Sequence, residues 1–308
     1  MITSLHSDIN SPAITCHIIQ EKYVSYQLMI VVIFLIFALL EALRSRFMFK
    51  PKATPADKYV ELISGFTLLG LTQPLVLFSS MYLAATLLPD AEGVLAGYPV
   101  LVLFALLLIC DDMVQYWWHR ASHTFPFLYG LHRAHHNGEY MSIRIVYRNN
   151  IFYYAMMPSL WISGLLIHLG LGHVYVVYIV IKMSVIFGAH SNVRWDEPLY
   201  KVKALSPLMW LVERTISTPA THAAHHGKYT TDAATHYKGN FGNLLFFWDV
   251  LFGTARITRT YPETYGVENL APMSAKAQLA WPLLRDATSP TEETATEKGS
   301  LSAAEPAE

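Results

Sequence analysis

The chain has 308 residues, of which 53% are hydrophobic and 15% charged, and its mean hydropathy is +0.30. About a quarter of the residues of a soluble domain are charged, so an ordinary soluble protein is excluded and a membrane protein is expected. A formal net charge of −1 gives no support to nucleic-acid binding, and two distant cysteines outside any CxxC, Cys16 and Cys110, support neither a thiolate zinc site nor a disulfide framework.

Residues 1–22 read as an N-terminal tail. They carry Asp8 and Glu21 and no basic stretch followed by a small-residue cleavage site, so the first apolar run is expected to be a retained anchor. A helix needs about 20 apolar residues to cross a bilayer. Residues 23–43 qualify, with the unbroken apolar core 28–40, and residues 60–88 qualify with an expected kink at Pro74. Residues 98–118 are apolar as far as Cys110 and turn polar at Asp111 and Asp112. Residues 151–169 and 173–189 pair around Gly170 and Gly172 as a helical hairpin. The fold expected is all-α: an integral membrane bundle of four to five transmembrane helices, formed by residues 23–285. Within it, residues 191–285 mix Trp, Pro and short apolar stretches and belong beside the membrane. Residues 286–308, rich in Thr, Ser, Ala, Pro and Glu, read as a disordered acidic tail.

Loop charge sets the expected orientation. Arg44, Arg46, Lys50, Lys52 and Lys58 lie between the first two spans, whereas 89–97 holds Asp90 and Glu92 and no Lys or Arg. The positive-inside rule places the first loop in the cytoplasm. The third span then delivers His119 through Arg148 to the cytoplasmic side, and the hairpin returns His190 and residues 191–285 to the same side. A bacterial inner membrane and an endoplasmic reticulum membrane both suit this topology.

Nine histidines on that side form a pattern: His119 and His123; His132, His135 and His136; His190; and His222, His225 and His226. On a helix, residues three and four apart share a face, so each cluster is expected to point its rings one way as the helical cap of the bundle. Neutral imidazole binds iron, zinc, copper and nickel. One metal rarely takes more than three or four such ligands, so the number suggests two ions. His236 stays open as a further ligand, a donor behind a ligand, or a loop residue. His6, His17, His168 and His173 fall in the tail or on the far side. A ligating imidazole needs its other nitrogen anchored, usually by a carboxylate. Asp112, Glu139, Asp232 and Asp249 are the candidates, Asp112 lying on the helix face of His119. Asp111 is either a functional acid within the membrane or a residue that snorkels to its surface. Arg120, Arg133, Arg144 and Arg148 either anchor the cytoplasmic face or hold acidic groups of a lipid or redox partner.

The order of these clusters after a membrane span resembles the fatty acid hydroxylase and sterol desaturase superfamily of membrane di-iron proteins, over roughly residues 95–260. Asp112-x-x-x-Tyr116-x-x-His119-Arg120-x-x-His123 looks like its first box. His132-Arg133-x-His135-His136, with Glu139 and Arg148 beyond it, looks like its second. Thr218-Pro219-x-x-His222-x-x-His225-His226-Gly227 looks like its third, preceded by His190-Ser191-Asn192. Asn240-Phe241-Gly242-Asn243 and Trp248-Asp249-x-x-Phe252-Gly253-Thr254 resemble a family tail motif, and the Glu139-Tyr140 neighbourhood looks like the alkylglycerol monooxygenase-like branch. The resemblance implies two iron ions (zinc could replace them in a purified sample) held by the nine histidines. It implies O2-dependent hydroxylation of a bilayer lipid, fatty acyl, sterol or related, with desaturation as the alternative outcome. No cytochrome-b5-like His-Pro-Gly-Gly, iron–sulfur cysteine cluster or flavin fingerprint is present. The electrons are therefore expected from a separate donor of ferredoxin, cytochrome b5 or pterin type. The lipid tail would slide from the membrane into a channel for which Phe125, Phe127, Tyr147, Phe152 and Tyr153 are candidates.

Two other classes compete. A membrane metal-binding or transport protein would use the histidines without oxygen chemistry, but transport sites sit near the bilayer midplane, and these clusters follow the helix ends. A metalloprotease would need HExxH, which is missing.

Overall fold

A computed structural model describes residues 12–45, 53–270 and 273–286; residues 1–11 and most of the expected acidic tail, 287–308, lie outside them. Helix α1, Pro12–Ser45, starts inside the stretch read as a tail and runs through the expected first span. Helix α2, Pro55–Leu87, opens with a reciprocal cap: Asp57 N–H donates to Thr54 Oγ1 at 3.1 Å and Thr54 N–H to the Asp57 carboxylate at 2.9 Å, with Pro55 in the first turn. Pro74 lacks an N–H, and its ring crowds the carbonyl four residues back. Just ahead of it α2 widens over Leu68–Thr72, where the Gln73 N–H reaches the Leu68 carbonyl. Helix α3, Val100–Thr124, carries a second widened turn at Leu108–Met113, which contains Asp111 and Asp112.

The apolar stretch Ile151–His190 is not one rod. It breaks ahead of Pro158 and turns back at Gly170, whose φ is 109°. This yields α5 (Ile151–Ala155), α6 (Pro158–Leu166) and α7 (Gly172–His190). Ser163 and Lys182, on either side of the turn, both hydrogen-bond Asp111. That is possible only if the arms run side by side. A side chain at Gly170 would stand 2.8 Å from the Ala96 nitrogen. The N–H groups of Gly93 and Leu95 clamp the turn by donating to His168 O and Leu169 O at 3.0 and 2.9 Å. Even with its widened end at Ile167–Leu171, the α6 arm is roughly 20 Å long at 1.5 Å per residue, short of the ~30 Å hydrocarbon core that α7 can span.

Helix α6 lies along the second half of α2. Gly164 permits the approach, since a Cβ there would meet Ser80 Cβ at 2.6 Å, and Ser80 Oγ donates to Trp161 O at 2.5 Å. Helix α7 packs against α1 and α3 around Leu103, Leu107, Val174, Tyr178, Ile186 and Phe187. The outward faces are apolar too: Leu101 is 83% and Phe66 76% exposed. Such surface suits lipid and not water. Pro55–Leu87, Val100–Thr124 and Ile151–His190 are long and apolar enough to cross a membrane, and the whole is an integral membrane helical bundle.

The C-terminal ends of α1, α3 and α7 and the N-terminal end of α2 meet at one end of the bundle. Buried Glu41 on α1 accepts hydrogen bonds from Ser142 Oγ (2.7 Å), Ile143 N–H (3.1 Å) and Asn192 N–H (2.9 Å). Beyond this end lie α4 (Pro126–His136), α8 (Glu197–Tyr200), α9 (Ser206–Thr215), α10 (Pro219–His225), α11 (Phe247–Phe252) and α12 (Ala275–Ala280), with no strand among the described residues. They form the His-rich cap.

Candidate metal centre

Four helices supply the rings. His119 and His123 are one turn apart at the end of α3. Pro126 restarts the chain at once as α4, which bears His132, His135 and His136. Helix α10 starts with a second reciprocal cap, in which Thr221 N–H donates to Thr218 Oγ1 and Thr218 N–H to Thr221 Oγ1, and bears His222 and His225 with His226 at its end. His190 closes α7.

The nine imidazoles fall into two groups, each with its candidate ligand nitrogens within 4.8 Å of one another: His119, His123, His132, His136 and His225, and His135, His190, His222 and His226. The clusters do not each point one way, as their spacing suggested. In α4, His132 and His136 at i and i+4 join the first group and His135 the second. In α10, His222 and His226 join the second and His225 the first. Residues four apart differ by about 40° around a helix, and neighbours by about 100°, so one short helix between two sites feeds both. The groups touch: the His136 and His226 rings stack at 4.3 Å.

Five rings have a fixed tautomer. His119 Nδ1 bonds Phe241 O (2.7 Å), His135 Nδ1 bonds Ile145 O (2.9 Å), His190 Nδ1 bonds Ile186 O (2.8 Å) and His225 Nδ1 bonds Gly239 O (2.8 Å). A carbonyl only accepts, so each Nδ1 carries the proton and each Nε2 keeps its lone pair. His132 Nδ1 donates to Asn149 Oδ1 at 3.0 Å; Asn149 Nδ2 donates to Tyr154 OH, which donates to Val146 O. The Nε2 atoms face one another, with His222 to His190 at 2.8 Å and His225 to His119 at 3.1 Å. Burial, followed by the charge of neighbouring rings, holds His132, His135, His136, His222, His225 and His226 well below the usual histidine range, although hydrogen bonds oppose this at His132, His135 and His225. They are neutral donors. His123 Nε2 and His222 Nδ1 are buried with no hydrogen-bond partner. Buried, converging and partly orphaned nitrogens fit metal ions, and the two groups can bind metal.

The expected carboxylate anchors do not touch the rings. Asp112 accepts from Leu244 N–H (3.3 Å), Leu245 N–H (3.1 Å) and Trp248 Nε1 (2.9 Å). Asp249 accepts from Phe241 N–H (2.8 Å), Gly242 N–H (2.6 Å) and Thr254 Oγ1 (2.6 Å), while burial pushes its carboxyl above the usual range. Both hold the 241–245 turn, so they act on His119 through the Phe241 carbonyl. Glu139 is a surface residue paired with Lys228 at 2.8 Å. Asp232 accepts from Ala234 N–H and Glu263 N–H, both at 2.9 Å, and pins a loop. Neither reaches a histidine. His236 stands outside both groups, with Nε2 3.3 Å from Thr254 O.

Asp111 does not snorkel. It is buried against Lys182, Tyr178 and Ser163. Arg148 is a fully buried tie: Nε donates to Ala134 O (2.8 Å), Nη1 to Asp57 (2.7 Å) and Nη2 to Gln278 Oε1 (2.9 Å). It therefore offers nothing to a lipid or redox partner. Arg144 is likewise paired, with Glu61. Arg120 lies over the Trp117 ring.

Three cavities form a chain toward the rings. One of about 90 Å³ is bordered by His119, His132, His135, His190, Gln115 and Tyr147. The next, about 100 Å³, shares Gln115, Tyr147, Tyr154, Met157, Met183 and Ile186 with it. The third is an apolar groove of about 830 Å³ between α1 and α2, sharing Ile30, Leu69 and Tyr147 with the second. Tyr147 borders all three and Tyr153 the innermost. Phe125 and Phe127, 58% and 48% exposed, sit outside, and Phe152 packs beside Leu131 and Tyr153. A separate pocket of about 230 Å³ on the cap reaches His123 and His136 between Tyr129, Lys228, Tyr237 and Lys238.

The family model described as Fatty acid hydroxylase matches residues 104–254, which contain all nine histidines. Alkylglycerol monooxygenase of Danio rerio is 31% identical over 149 residues, covering 46% of this chain and 28% of that protein. The Homo sapiens protein of that name is 27% identical over 147 residues, with 46% and 28% covered, and the Caenorhabditis elegans one 26% over 171 residues, with 52% and 28% covered. The chain thus spans little more than a quarter of the length of these relatives. No solved structure matches. By its boxes, its helical architecture and these similarities, the chain belongs, through residues 104–254, to the fatty acid hydroxylase superfamily, on the side of its alkylglycerol monooxygenase branch.

Proposed function

We propose that this chain is a membrane-bound lipid monooxygenase whose nine histidines hold two iron ions. The observation that carries this reading is the junction of the two imidazole groups with cavities leading to a groove on the lipid-facing side. Iron in such a site supplies the oxidising power for attack on an unactivated C–H bond with O2 and external electrons. The protein does the rest. Carbonyls of residues 145, 186, 239 and 241 fix the rings. Tyr147, Met157, Met183 and Ile186 give the substrate an apolar, water-poor path in which a lipid tail slides sideways from the bilayer. The cap pocket beside His123 and His136 is where a separate electron donor would dock. The Lys and Arg residues of the sequence between positions 44 and 58 support a cytoplasmic cap. A metal-transport reading fits less well, because the rings lie at the helix ends and not midway along the spans.

The test is metal content and oxygen uptake of purified protein in detergent. About two irons per chain, lipid-dependent O2 consumption and 18O in the product support the reading. A desaturase would give an alkene without 18O. Full activity in His135→Ala or His225→Ala overturns the proposal.

A further inference from the structure

Two short helices of the cap are built the wrong way round for water. Helix α9 tucks its only carboxylate inward: Glu213 is buried and accepts from Arg214 Nη1 at 3.0 Å and from Arg259 Nε and Nη2 at 2.9 and 2.7 Å. On the outer side Leu208 and Leu211, three residues apart and so on one face, are more than half exposed, and so is Trp210. Helix α11 follows the same plan. Trp248 and Asp249 are buried, while Phe247, Val250 and Leu251, at i, i+3 and i+4, form the exposed face. An amphipathic helix on a soluble domain does the reverse. The two helices pack against each other. Scattered exposed apolar residues need no explanation, but a patch spread over neighbouring helices marks an interaction surface.

The patch does not end at the cap. Phe252, the last residue of α11, lies against Trp117 with ring centroids 4.9 Å apart, and Trp117 is exposed on the spanning helix α3. The lipid-facing surface of the bundle therefore continues onto the cap. Trp210 and Trp117 each have a guanidinium over the ring, Arg214 at 4.4 Å and Arg120 at 5.1 Å. An aromatic ring with a cation beside it suits the level at which acyl chains meet phosphates. The acidic stretch 287–308, whose one large aliphatic residue is Leu301, brings nothing apolar to cover the patch. We propose that α9 and α11 lie on the bilayer with this face sunk to the boundary between headgroups and acyl chains, so that the cap rests on the membrane along this side instead of standing in water. Helix α11 also carries Trp248 and Asp249, which hold Asp112 and the 241–245 turn, so the lipid surface supports the wall behind the five-histidine group. This contact is independent of what the metals do.

The experiment places the full chain in phosphatidylcholine nanodiscs with a nitroxide at one position at a time: Leu208→Cys, Leu211→Cys, Leu251→Cys and, beside the cap pocket, Lys238→Cys, each with Cys16→Ala and Cys110→Ala. Collisions of the label with O2, which concentrates in lipid, are compared with those of a water-soluble nickel chelate. The three patch labels are expected to favour O2 over nickel several-fold more than the Lys238 label does. Nickel access at the patch equal to that at Lys238 overturns the proposal. Low access to both reagents, or spin–spin broadening, overturns it as well, because a second copy of the chain would then cover the patch. A second measurement keeps both cysteines. The difference in emission between wild type and Trp210→Phe reports Trp210, and lipid brominated near the top of its acyl chains should quench most of it; an unquenched difference overturns the proposal. If the cysteine-free chain does not fold, this measurement decides.

Discussion

Replacing Asp249 with Asn should weaken one metal position and spare the other. The Asp249 carboxylate accepts three hydrogen bonds, from Phe241 N–H, Gly242 N–H and Thr254 Oγ1, at 2.6 to 2.8 Å. These bonds hold the turn whose Phe241 carbonyl anchors His119, and Gly239, two residues earlier, anchors His225. Both rings belong to the five-histidine group; the anchors of His135 and His190 come from residues 145 and 186. An amide can keep only one oxygen toward the two N–H donors, and its NH2 opposes the other. Losing one or two charge-assisted bonds costs about 1.5–3 kcal/mol each, offset in part because the amide removes a costly buried charge. Loss of support behind a ligand typically lowers metal affinity by about 10–100-fold. The assay is iron binding to apoprotein by equilibrium dialysis over a range of free metal. The expected curve has two steps, the weaker displaced by one to two decades and the tighter unmoved. A curve identical to wild type would refute the claim that this carboxylate acts through the 241 carbonyl, and an equal displacement of both steps would refute its confinement to one group.

Three further outcomes are expected from the packing. Arg148→Met leaves Asp57 facing a buried gap, and its removal should lower stability in detergent by about 3 kcal/mol, with part recovered in the Asp57→Asn, Arg148→Met double variant; chemical denaturation measures both. Gly164→Leu should separate α6 from α2, since even a Cβ would stand 2.9 Å from Leu77 O, and cost about 1–3 kcal/mol or more by the same assay. Gly65→Phe projects a ring into the groove beside Tyr147, where a Cβ would have 3.9 Å of clearance. It should raise KM for a long-chain lipid several-fold while iron content stays at the wild-type value; an unchanged KM would show that lipid does not approach between α1 and α2.

Much of the fold is readable in the order of residues. Apolar runs of membrane length, the hairpin around Gly170 and the histidine spacings all express local periodicity, and local periodicity survives folding. The hairpin's short arm is hidden because hydropathy does not register Pro158 and the break before it. The splitting of His132, His135 and His136 between two groups is a matter of helical geometry, yet it becomes visible only when a site lies on each side of the helix. The anchoring partners are not legible. Backbone carbonyls of Ile145, Ile186, Gly239 and Phe241 have no residue-type signature, whereas Asp112, Glu139, Asp232 and Asp249 stand out by charge alone. Two of those acids support the carbonyls from behind, and two serve the surface. Glu41 and Lys182 give no usable signal, because a lone charge in an apolar run does not name its partner. Those partners are far away in the chain, at Ser142 and Asn192 for Glu41 and at Asp111 for Lys182.

The division of α4 and α10 between both imidazole groups has a consequence for how this chain can vary. Inserting or deleting one residue within 132–136 or 222–226 turns everything downstream by about 100°, so a ring leaves each group at once and neither half can be rescued alone. The connections between these helices carry no such constraint and can lengthen or shorten freely. Length variation among descendants of this sequence should therefore gather in the linkers and vanish inside those two pentapeptides, and the two metal positions should be inherited or lost as a pair.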